Sequence, residues 1–138
     1  MAKRKNISAS QPQSPTAATF QRTANCISGY ANNVRFESTV HDLTLVFGQS
    51  DLSTGTEVIK QHTAITIPWT VAKLALYYLG ININFHELYN GGIPVAPNQI
   101  PPAFPEPSAD TRAKDPHAVE AFNLGQKLRD EFISALPG

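Results

Sequence analysis

Four histidines, at positions 41, 62, 86 and 117, and one cysteine, Cys26, are the side chains of this sequence best suited to metal, nucleophilic or acid–base chemistry. A helical zinc site needs two imidazoles at i and i+4, as in HExxH, so that both reach one ion from one face. No pair here has that spacing. A reactive thiolate needs a neighbouring base or a CxxC partner, and Cys26 has neither; alone it also forms no internal bridge. His41-Asp42 falls at a break between two strand patterns, where a turn role is expected. His86-Glu87 falls in a helical pattern, where adjacent side chains point about 100° apart and do not share a site. His62 alternates with Lys60 on a strand and reads as a solvated face. No GxGxxG, GxxxxGK[ST] or GxSxG run occurs, and Gly91-Gly92 follows a helix where phosphate loops precede one. The expectation is a non-catalytic protein with no catalytic residue, no cofactor and no metal.

The elements around these residues are legible from periodicity. Tyr30, Val34 and Phe36 alternate with Ala31, Asn33, Arg35 and Glu37 as a half-buried strand, and Leu43, Leu45 and Phe47 share the apolar face of a second strand against Asp42, Thr44 and Val46. Gly48, Ser50 and Asp51 mark a turn. Ile59, Ile65, Ile67 and Trp69 then share one parity of a third strand. Pro68 suits the first turn of a helix, with Thr70 as an alternative cap. From Thr70 to Tyr89 one stripe (Val71, Leu74, Tyr78, Ile81, Phe85, Leu88) is expected to cover the sheet. A second (Ala72, Ala75, Leu76, Leu79, Ile83) is left for a partner, and Gly91-Gly92 ends the helix. Asn32, Asn33, Asn82 and Asn84 are amides that fix register or line an interface.

The tails differ from this centre. Residues 1–36 hold five bases and no acid, and Lys3, Arg4, Lys5 and Arg22 are the possible anion contacts of a basic arm that gives nucleic acid an electrostatic foothold. Without aromatics on a basic folded face, a solvated tail is the stronger reading. Six prolines between 94 and 107 make an extended spacer. Asp115 caps and Pro116 opens a last amphipathic helix whose Phe122, Leu128, Phe132 and Ile133 are its docking residues for a protein partner. No apolar run is long enough for a signal peptide or a membrane span, so a cytoplasmic protein is expected.

Composition adds the case for assembly. The chain has 138 residues, no net charge and only 16% charged side chains, against about a quarter in ordinary soluble domains. Between Tyr30 and Ile93 there are three bases and five acids in sixty-four residues. A domain that small buries only about 60% of its unfolded surface, and so few charges leave part of its outside for another subunit. The expected architecture is α+β: a three-stranded antiparallel meander and one long helix, then a proline-rich strap and a C-terminal amphipathic helix. Its parts are a disordered basic arm (1–27), an α+β core domain (28–93), the linker or strap (94–114) and the last helix (115–136). Self-association is assigned to Leu76, Tyr77, Leu79 and Ile83, making a homo-oligomer.

The run Tyr30-Ala31-Asn32-Asn33-Val34-Arg35-Phe36, with Asp42-Leu43-Thr44-Leu45-Val46-Phe47-Gly48-Gln49 and then Ile65, Ile67, Pro68, Ala72, Lys73 and Leu74, resembles a bacterial and archaeal family of uncharacterised proteins, domain of unknown function 3467, over about residues 28–90. The resemblance implies this fold and an oligomer, with no assigned activity or catalytic residues. The order of three strands and a long helix is also similar to the SecB family of export chaperones, at the level of topology alone. That likeness implies a holdase alternative, in which apolar grooves hold unfolded chains.

Overall fold

The computed structural model describes residues 18–51, 53 and 55–138. Lys3, Arg4 and Lys5 of the basic arm lie outside them. Three strands, β1 (Asn33–Ser38), β2 (Asp42–Asp51) and β3 (Val58–Pro68), form one antiparallel sheet in the order β1-β2-β3, and β3 leads straight into helix α1 (Trp69–Asn90). A 3₁₀ turn at Pro97–Gln99 and two helices, α2 (Ala109–Lys114) and α3 (Ala118–Ser134), complete this α+β chain. It divides into two compact units, Met1–Arg35 with Val46–Thr63, and Phe36–Leu45 with Ala64–Gly138. Each strand passes from one unit into the other.

In the first unit the central strand carries the packing. Gly48 is buried, and a Cβ there would stand 3.0 Å from both Ile59 Cγ2 and the Lys60 carbonyl, so β3 crosses closely enough that a larger residue would have to push it back. Val46 is the one buried apolar side chain among the described residues of this unit. The alternation expected the reverse, with Leu43, Leu45 and Phe47 on the core face; these are half-buried instead. Asn32 fixes the register, its N–H donating to the Gly48 carbonyl (3.2 Å) while its Oδ1 accepts the Ser50 N–H (2.7 Å).

The second unit begins at the β1–β2 turn, where Thr39 Oγ1 donates to Asp42 Oδ1 (2.7 Å) and accepts the N–H groups of His41 and Asp42 (3.1 Å each). Trp69 Nε1 donates to the Thr39 carbonyl at 3.1 Å, tying the start of α1 to this turn. Pro68 is the extended residue before the helix rather than its first turn, and neither it nor Thr70 supplies a side-chain cap. The helix ends at Gly91, whose φ of 89° is the left-handed region that glycine tolerates.

The proline strap lies along α3 within the chain. Arg129 Nε donates to the Pro101 carbonyl (2.8 Å), and the Phe104 N–H donates to Gln126 Oε1 (3.0 Å). The Phe104 ring sits over Gly125 so closely that a Cβ there would be 2.7 Å away. The spacer reading missed α2, which Ser108 caps by accepting the Thr111 N–H at 3.1 Å. Asp115 still sets up α3, its carboxylate accepting the His117 N–H (2.8 Å) in an Asx turn, so the helix proper starts at Ala118.

Candidate functional site

Helix α1 runs for 22 residues without one buried side chain. The sequence places its first apolar stripe over the sheet. That expectation is corrected by exposure: Val71, Leu74, Tyr78, Phe85 and Leu88 are all open to water. The physical reason lies in the chain path, since β3 passes into α1 with no intervening loop and a helix that continues from a strand end does not fold back over the strand. Among the described residues, Ile81 of the first stripe and Ala72 of the second are half-buried, and the rest of both stripes is exposed.

The four residues assigned to self-association share this exposure, from 41% at Ile83 to 72% at Leu76. Tyr77 and Tyr78 make an edge-to-face ring pair, centroids 5.3 Å apart. Withdrawing one Leu, Ile or aromatic side chain from water contributes about 1.5–3 kcal/mol. Asn82 and Asn84, by contrast, turn inward along the helix and donate to the Tyr78 and Gly80 carbonyls, four residues back, at 2.8 and 2.7 Å. The sequence missed this local bonding, which leaves each amide its oxygen and one N–H for a partner.

On α3 the four docking residues divide between two sides. Leu128 and Phe132 are exposed, with Leu124 beside them, whereas Phe122 and Ile133 are half-buried. The heptad-like spacing did not separate them, because the strap that covers one side has no periodic signature. A groove of about 800 Å³ follows α3 past Phe122, Gln126, Asp130 and Ser134, with no histidine or cysteine on its wall.

The chemistry-bearing residues stay dispersed. His41 lies in the exposed turn, and Cys26 is exposed. His62 Nε2 meets the Tyr30 carbonyl (3.1 Å) and Nδ1 the Thr63 hydroxyl (2.9 Å), so the ring links chain segments. Among the described residues no group of three His, Cys, Asp or Glu side chains is placed to hold a metal, and no helix is long and apolar enough to cross a membrane. Arg22 of the arm is exposed. Asp51 has its carboxyl held below the ordinary value of 3.8, first by hydrogen bonds from Ser53 and then by Lys60, whose Nζ stands 3.4 Å away. Comparison with protein families, with characterised proteins and with solved structures finds no match to this chain.

Proposed function

We propose that this protein is a non-catalytic module whose long helix is a self-association surface, giving a homo-oligomer that presents its tails to other molecules. The observation that carries the reading is α1 itself: 22 residues without a buried side chain, bearing two charged residues, Lys73 and Glu87. A free monomer would keep this face in water at a cost that association removes. The resemblance over residues 28–90 implies the same kind of assembly, and the exposed ridge of Leu124, Leu128 and Phe132 on α3 suits a protein partner.

Light scattering after size exclusion, across a concentration series of the full chain, tests this. The expected mass is a multiple of the 15.0 kDa chain, and Leu76→Glu should lower the association constant by about 30-fold or more, the equivalent of losing one buried leucine. A 15.0 kDa species at every concentration would sink the proposal.

A further inference from the structure

We infer that the copy covering α1 lies antiparallel to it, about a two-fold axis at Gly80, with Lys73 of each chain paired to Glu87 of the other. This rests on the self-association reading and adds its partner geometry.

Lys73, Gly80 and Glu87 are spaced seven residues apart, which keeps all three on one face of a helix together with Leu76, Tyr77 and Ile83. Lys73 and Glu87 are the only Asp, Glu, Lys or Arg residues of α1, and they stand symmetrically about Gly80. A two-fold axis there sets residue 73 opposite 87, 76 opposite 84 and 77 opposite 83. A parallel partner would oppose lysine to lysine and glutamate to glutamate, and would align the two helix dipoles.

Neither charge has an oppositely charged partner among the described residues. An anion is disfavoured in the last turn of a helix, yet α1 carries Glu87 there. No ion pair to Lys73 occurs among the described residues. Glu87 uses one carboxylate oxygen to accept the Ile93 N–H at 3.1 Å, which leaves the other for a partner. Each helix dipole is offset by the other's charges once the pair is antiparallel.

Gly80 is the third observation. A glycine inside a helix is less stable than alanine, and a Cβ at this position would meet nothing within 4 Å. No neighbour among the described residues needs it small. A helix crossing at its closest point does, since the backbones then approach without a side chain between them.

The test is charge reversal in the full chain. Lys73→Glu and Glu87→Lys each turn both inter-chain pairs into like charges, so each should raise the dimer dissociation constant about tenfold or more. The double swap should return it to within about threefold of wild type. Glu87→Lys puts a cation in the last turn, where the helix favours it, and unchanged circular dichroism separates lost assembly from lost helix. A second measurement is the spin-label distance in Cys26→Ser/Asn90→Cys: about 30 Å or more between the two labels for the antiparallel pair, about 10 Å for a parallel one. The short distance, or a swap that fails to recover, overturns the register while leaving self-association standing. A monomeric wild type overturns both.

Discussion

Asp51 shows what one residue contributes on an open surface. Its carboxylate accepts the Ser53 N–H at 2.9 Å and faces Lys60, which lowers its pKa in the folded state. A carboxyl with a depressed folded value stabilises the fold fully above its ordinary value, and loses that contribution as pH falls through the lowered one. Wild type should therefore exceed Asp51→Asn in stability at neutral pH, and the difference should vanish in acid; chemical denaturation of both variants across pH 2–6 checks it. A constant difference would mean that the carboxylate's charge is not involved. Asn32 makes the same point for register. The sequence leaves its amide to fix register, line an interface or sit plainly on the surface, and the Ser50 contact at 2.7 Å gives it the first role, whereas Asn82 and Asn84 look alike in sequence and bond to their own helix.

At the scale of elements, the strap and α3 hold each other. Gly125→Ala removes a helix-weakening glycine, a gain of about 1 kcal/mol in an isolated helix, yet its Cβ would enter the Phe104 ring. The clash should win, because 2.7 Å is well inside van der Waals contact. The expected result is faster hydrogen exchange at the Phe104 amide and a lower Tm. A raised Tm with the amide still protected would show that the ring is not what holds the strap. Helix α2 was hidden in the sequence for a related reason. Six residues framed by prolines are too few for periodicity, and only the Ser108 cap with Asp110 in the first turn signals it.

For the whole molecule, the decisive quantity is how much apolar surface stays wet. Val46 and Ala118 are the only buried apolar side chains among the described residues, far short of what a stable domain needs. Under the proposed self-association, assembly and folding are coupled, and stability should depend on protein concentration. An apolar fluorescent dye should bind weakly to the concentrated protein and more strongly on dilution through the dissociation constant, as α1 becomes exposed. Dye binding that is strong and independent of concentration would favour instead a surface kept open for unfolded clients.

Strand and helix order was in the sequence, because alternation at Tyr30–Glu37 and helical spacing after Pro68 are local properties of the chain. So were the scarcity of charge on α1 and its stop at Gly91-Gly92. Burial was not, since periodicity says which residues share a face and is silent on whether anything meets it. Only the tertiary structure decided that Val46 rather than Phe47 is the covered side of β2, that Phe122 and Ile133 turn away from Leu128 and Phe132, and that no residue of α1 is buried. Each depends on contacts between residues far apart in sequence, and those contacts have no local signature.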